Sequence, residues 1–356
     1  MCLQQLQMWL ITFWVYLGKI IGIILVTQDE NGRFYCTKRY KFLNIVLSIF
    51  FTITFPSAYS ELASHVRVTD EVNVDFSNIV TAIRDYIEYI FMFAAFAFHR
   101  FNRHHLADWL NNSLEFAKQN QHQCAVFIMK AKRKHLKYLC IGIVSKFLKT
   151  VINVLAWLLV LDCPGNNAVN LFIISIPKVV MFVVSNEYFA AVLTIKFHVG
   201  IINDMLKRAR KKMKLRSDEK LTMISRDLEL CDTFDDISEM HTRLFKIYTN
   251  ISGMYQFQLI MIVFSSFYAV MIDLFYIFNV NFFSYIHLTS NRSGQLLVVS
   301  IVSILIRCFD IYFMLKCSTT VSSAENVNMK ILSCMDITHR DQRLKDCVRL
   351  FKILDY

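Results

Sequence analysis

Residues 169–197 read VNLFIISIPKVVMFVVSNEYFAAVLTIKF, and shortly after them the chain runs KRARKKMKLR over 207–216. The first stretch is long and apolar enough to cross a bilayer, whose hydrocarbon core takes a helix of about 20 mostly apolar residues. The second sets Lys207, Arg208, Arg210, Lys211, Lys212, Lys214 and Arg216 on one flank, while residues 162–168 on the other flank hold no Lys or Arg. A span flanked this way is oriented, because the basic side stays in the cytoplasm.

The pattern repeats outward from this span. Apolar segments occupy 8–26, 42–60, 78–98, 138–161, 169–197, 256–280 and 295–316. Connection 61–77 is acidic (Glu61, Asp70, Glu71 and Asp75 against Arg67), and 281–294 carries only Arg292. Connection 99–137 is basic, with Arg100, Arg103, Lys118, Lys130, Lys132, Arg133, Lys134 and Lys137. The linker 27–41 and the tail after 317 are basic too, which places both on the cytoplasmic side and leaves 61–77, 162–168 and 281–294 outside.

Composition agrees. Hydrophobic residues make up 55% of the chain and its mean hydropathy is +0.40, more than a soluble domain hides easily. With Gly at 8 and Pro at 3, long helices are favoured over a turn-rich barrel. The net charge of +11 would suggest nucleic acid in a soluble protein; beside apolar spans it reads as topology and lipid-headgroup contact, and no nucleic-acid partner is expected. No CxxC pair occurs among the cysteines, and Cys163, alone in an outer connection, has no intrachain partner there. No cleavable signal is recognisable, since residues 1–7 lack a basic n-region.

The segment 8–26 has two readings. If it spans, there are seven spans and an outside N-terminus; if it lies in the interface, there are six and the N-terminus is inside. Lys19 sits mid-segment, where a charge costs about 2.5–3.5 kcal/mol on insertion scales, so the interfacial helix is favoured. The resulting architecture is all-α, a polytopic helical membrane bundle in three parts. Residues 1–41 form a cytoplasmic N-terminus with the interfacial helix, 42–316 a six-span bundle with cytoplasmic loops 99–137 and 198–255, and 317–356 a cytoplasmic helical tail. In 217–255 an apolar repeat (Leu221, Ile224, Leu228, Cys231, then Ile237, Met240, Leu244, Ile247) predicts a helix continuous with span five, starting near Ser217.

Ionisable residues inside spans are candidates for function, because they normally face a bundle interior or a water cavity. Span two carries Arg84, Asp85 and Glu88, in its outer half by the charge ladder; a structural ion pair is the competing account. Span four holds Pro177 and Lys178, span five Asp273, and span six Arg307 with Asp310, which at i,i+3 are spaced to pair with each other. Lys146 and Lys149 in span three read as snorkelling to the cytoplasmic headgroups. Aromatics accompany these charges, Tyr268 among them, and a few polar groups in an aromatic pocket suit a small organic ligand. The candidate ligand-binding set is therefore Arg84, Asp85, Glu88, Lys178, Tyr268 and Asp273.

His99, His104 and His105 form an H-x4-HH box of the kind that binds iron in membrane desaturases, but the other histidines are isolated and one box does not complete a metal site. The plainer reading is a basic juxtamembrane patch with Arg100 and Arg103. No Walker loop, GxSxG elbow or HExxH occurs, so no catalytic residue, metal or cofactor is implied. Of three N-x-S/T acceptors, Asn111, Asn250 and Asn291, the ladder puts only Asn291 outside, as the one expected glycosylation site.

The chain resembles the insect gustatory receptor family. The likeness lies in YLGKIIGII (16–24) with its charged linker, the long basic connection after span two, the cytoplasmic helix entering span five, and the tail DQRLKDCVRLFKIL (341–354). The resemblance implies a multi-pass plasma-membrane chemoreceptor with both termini cytoplasmic, one subunit of a tetrameric ligand-gated cation channel, homo- or hetero-oligomeric. It implies a small-molecule tastant bound in an outer pocket of the earlier spans. The family's Thr-Tyr and Gln-Phe motif of the last span is not found, and Leu344, Val348, Phe351 and Leu354 keep helical spacing to the end. On the resemblance a seventh, pore-lining span is expected to follow, and this chain by itself is not expected to form a channel. A seven-span G-protein-coupled receptor is the alternative, but Asp-Arg-Tyr is missing from span three and no proline follows Asn. A membrane enzyme built on the histidine box ranks last.

Overall fold

The computed structural model describes residues 2–66, 74–119, 125–160, 168–214, 220–287, 291–333, 342–346 and 348. Its long elements are helices: α1 (Cys2–Ile20), α2 (Lys38–Val66), α3 (Val74–Gln119), α4 (Ala125–Val160), α5 (Ala168–Lys214), α6 (Lys220–His287) and α7 (Asn291–Ser333). A two-stranded antiparallel hairpin, β1 (Val26–Gln28) and β2 (Phe34–Cys36), lies between α1 and α2. The six apolar segments from 42 to 316 fall in α2 to α7, one to each helix.

Four helices are long and apolar enough to cross a membrane among the described residues: Lys38–Glu61, Ala168–Met213, Asp227–Phe275 and Leu297–Lys316. The protein is a helical membrane bundle. α3 and α4 carry charges within their apolar stretches, Arg84, Asp85 and Glu88 on one and Lys146 and Lys149 on the other. α5 is the core helix, with 67% of its apolar window buried against 22% for α2. Most of α5 from Ile173 to Ile202 is buried, whereas α2 keeps Phe42, Ile49 and Ile53 exposed on a lipid-type face.

The described residues form two compact units, and their boundaries fall within helices. Unit 1 takes residues 1–108, 139–189 and 255–314. One of its clusters joins Phe55, Ala58 and Tyr59 of α2 to Leu171, Ile173 and Ile174 of α5, with Ala82 and Tyr89 of α3 packed against them. Phe55 stacks on Tyr89 at 4.4 Å, and Tyr89 Oη donates to the Thr52 carbonyl at 3.0 Å. Unit 2 takes 109–138, 190–254 and 315–356. Its core holds Ile201, Ile202 and Leu206 of α5, Leu230, Cys231, Phe234 and Ile237 of α6, and Leu344 and Val348 beyond α7. The apolar stripe of α6 therefore runs through Leu230 and Phe234, and Leu228, expected in it, is 45% exposed. The expected helix start at Ser217 lies outside the described residues, as does Cys163.

Two expectations change near the N-terminus. The segment 8–26 is not one helix. α1 stops at Ile20, Gly22 takes a left-handed φ of 77°, and the Ile23 and Ile24 amides turn back to the Gly18 carbonyl, each at 3.0 Å. The apolar part of α1, Trp9–Ile20, extends only about 18 Å at 1.5 Å per residue, short of a bilayer core of about 30 Å. It packs through buried Trp14, whose Nε1 donates to the Val183 carbonyl of α5 at 3.4 Å. The all-α expectation also misses the hairpin. Asn31-Gly32 is a strong turn signal, with Gly32 at φ 80° and Asp29 Oδ1 accepting from the Arg33 amide at 2.6 Å.

α4 approaches α5 closely at Gly142, where a Cβ would meet Phe189 Cε1 at 2.5 Å and Cδ1 at 2.8 Å. A ring held between helices has no flexible end to move aside. Gly142→Ala should lower the thermal unfolding temperature of the purified protein, an overpacking cost of about 1–3 kcal/mol that exceeds the helix-propensity gain. An unchanged or higher midpoint would show that the Phe189 ring is not packed on this face.

Candidate functional site

Charged side chains from five apolar helices of unit 1 meet in its interior. Lys178 of α5 places its Nζ 3.2 Å from Asp85 Oδ1 and 3.2 Å from Glu88 Oε2, both on α3. Arg84 Nε lies 3.3 Å from the same Asp85 oxygen. Lys146 and Lys149 of α4 flank Asp310 of α7, at 3.2 Å and 3.9 Å. Arg307 of α7 reaches Asp273 of α6 at 3.5 Å, and Ser303 joins them, donating to Asp273 Oδ2 at 2.7 Å and accepting from Arg307 Nε at 3.1 Å. Lys149 also donates to Ser266 Oγ of α6 at 3.1 Å. Arg307 has Glu88, Arg84 and Asp310 as further charged neighbours, which makes these pairs one network.

Helix geometry explains the convergence. Arg84, Asp85 and Glu88 lie within one turn or so of α3; Ser303, Arg307 and Asp310 follow at spacings of four and three on α7; Lys146 and Lys149 are three apart on α4. Each set points to one side, and that side is the buried one: Asp85, Glu88, Lys146, Lys178, Arg307 and Asp310 are all nearly inaccessible. Isolated, any of these charges would be costly to desolvate, so the network exists by mutual pairing. Glu88, Lys146, Lys149, Lys178, Arg307 and Asp310, with Thr150, Met181, Phe182 and Ser185, line a small cavity. It has room for about one water molecule.

A family model described as 7tm chemosensory receptor matches residues 11–353. The chain belongs to this chemosensory receptor family. The match agrees with the likeness to insect gustatory receptors. No curated protein matches the chain.

Of the candidate ligand-binding residues of this receptor, Arg84, Asp85, Glu88 and Lys178 come together directly, and Asp273 joins them through Arg307. Tyr268 does not share their described contacts; it is half-buried and stacks on Phe264, which is exposed. The side chain of Asn291 lies outside the described residues, although α7 begins at that position. Two readings of charge are corrected. Lys146 and Lys149 do not snorkel: Asp310 holds both, and Lys146 is 2% exposed. Arg307 and Asp310, spaced to pair along α7, also reach across to α6 and α4, so their pairing is not confined to one helix. Ser303 and Ser266 were missed, for a serine in an apolar helix gives no signal until its partner is known.

The histidine box separates. His99 is buried, its Nε2 3.2 Å from Glu187 Oε2 of α5, while Arg103 Nε donates to the exposed His104 at 3.2 Å. His99 is thus no member of a basic surface patch. Among the described residues no group of three or more His, Cys, Asp or Glu is placed to hold a metal ion.

Lys178 serves two carboxylates at once, so Lys178→Met should cost about 3–5 kcal/mol, the usual penalty for stranding a buried charge. Adding Asp85→Asn should return part of that loss. Thermal unfolding of the native, single and double forms in nanodiscs measures it, and additive losses would mean the two side chains do not interact.

Proposed function

We propose that this chain is a gustatory-type receptor subunit of a ligand-gated cation channel in the plasma membrane, and that the charged interior of unit 1 is where a small organic tastant acts. The observation that carries the reading is the convergence of charges from four apolar helices, α3, α4, α5 and α7, around one cavity, with Asp273 of α6 joined through Arg307, in a chain of the chemosensory receptor family. Charges at that depth are costly to keep, and in membrane bundles they mark ligand or ion sites. Phe182 and Met181 on the cavity wall supply apolar surface of the kind such a ligand uses.

The cavity has room for about one water, whereas sites for organic ligands span about 300–1,000 Å3. Tastant binding therefore parts the helices. Exchanging ion pairs for ligand contacts is the step that couples binding to movement of α7, which holds Arg307 and Asp310. In this reading six spans run through α2 to α7, α1 lies in the interface, and unit 2 and both described ends of the chain are cytoplasmic. The subunit works in a homo- or hetero-tetramer, performs no catalysis and needs no cofactor.

Two measurements test this. In cells, Asn291 should carry an N-glycan that Asn291→Gln removes, with Asn111 and Asn250 bare; a glycan on either of those would invert the topology. Expressed with other subunits of the family, the chain should confer calcium responses to members of a tastant panel. Lys178→Met should reduce those responses at least about tenfold in sensitivity at equal surface expression. Equal sensitivity would remove the network from the ligand site.

A further inference from the structure

The network is not balanced where it meets the cavity. Four basic residues line it, Lys146, Lys149, Lys178 and Arg307, against two acidic ones, Glu88 and Asp310. Lys178 and Arg307 have carboxylates behind them, Asp85 and Asp273. Lys146 and Lys149 share Asp310. One carboxylate thus faces two ammonium groups in a buried place. Lys146 is the less satisfied of the two: its Nζ is 3.2 Å from Asp310 Oδ1, yet it makes no hydrogen bond, and its other close neighbour is the Phe189 ring at 4.6 Å. A buried ammonium with three protons and no aligned acceptor needs a further acceptor, and where two ammonium groups share one carboxylate an anion supplies both the acceptor and the missing charge.

We infer that the cavity between α3, α4, α5 and α7 is a binding site for one small monovalent anion of halide class, held by Lys146 and Lys149. The class follows from size and charge. In the closed form, room for about one water suits a chloride-sized sphere, whereas sulfate or an organic carboxylate would have to part the helices. A single negative charge completes the pairing that Asp310 provides by half, while two would reverse the imbalance. Ser185 on the cavity wall adds a hydroxyl group, an ordinary donor to an anion, while the Thr150 hydroxyl donates to the Lys146 carbonyl at 3.1 Å. The ion occupies the closed form of the same cavity that the tastant is proposed to open, but the ion's binding does not depend on that reading and its test needs no tastant.

Purified receptor in nanodiscs of zwitterionic lipid, titrated from sodium gluconate to sodium chloride at constant ionic strength, should show a saturable rise in unfolding temperature. Bromide should reproduce it. Equilibrium dialysis with radiolabelled chloride should give about one ion per chain. Lys146→Met should abolish both effects. Asp310→Asn, which removes a negative charge beside the ion, should instead tighten chloride binding at least about tenfold. A network that served packing alone would weaken in both variants. Equal behaviour of the native protein in chloride and gluconate, no bound radiolabel, or unchanged binding in Lys146→Met would each overturn the proposal. Should Lys146→Met fail to fold, the radiolabel measurement on the native protein decides.

Discussion

A charge on an apolar helix cannot remain in hydrocarbon without a partner, and this constraint organises unit 1. α3, α4, α5, α6 and α7 each bring at least one ionisable side chain into their apolar stretch, and apart from Arg84 with its neighbour Asp85 the ion pairs of the network join different helices. They must meet face to face. The pairing is poor evidence for stability, because desolvating both partners offsets most of their attraction. Its value is positional: it fixes which faces of five helices turn inward, and hydrophobic contact between apolar helices in lipid does not do that by itself.

The same constraint suits a receptor. A packed apolar core gives up its contacts only at a steep cost, but an ion pair can exchange one partner for another of like charge. Asp310 is shared by two lysines and Lys178 by two carboxylates, so each holds two partners of like charge within reach. Arg307, at the centre of the charged neighbours, links the α3 end of the network to the α7 end.

The spans were legible because hydropathy and flanking charge are properties of single segments. Segments 42–60 and 169–197 fall within α2 and α5, and the mid-span charges are visible on inspection. Partnership was not legible. Whether Lys146 reaches a headgroup or Asp310 depends on which helix stands beside α4, and nothing local to residues 138–161 states that. His99 misled for the same reason, since His-Arg at a span edge reads as surface until Glu187 is found 3.2 Å away. The hairpin at 26–36 is a small element within a nearly all-helical fold, and Asn31-Gly32 is its local turn signal.

The central claim is that the charges of separate apolar helices face one another inside the bundle. Exchanging a pair tests it most directly. Lys146→Asp and Asp310→Lys, made singly, each place two like charges against each other and should abolish folded, surface-expressed protein. Made together, they restore opposite charges across α4 and α7, and surface expression should return to a large fraction of the native level. A double variant no better than either single one would contradict the interior pairing.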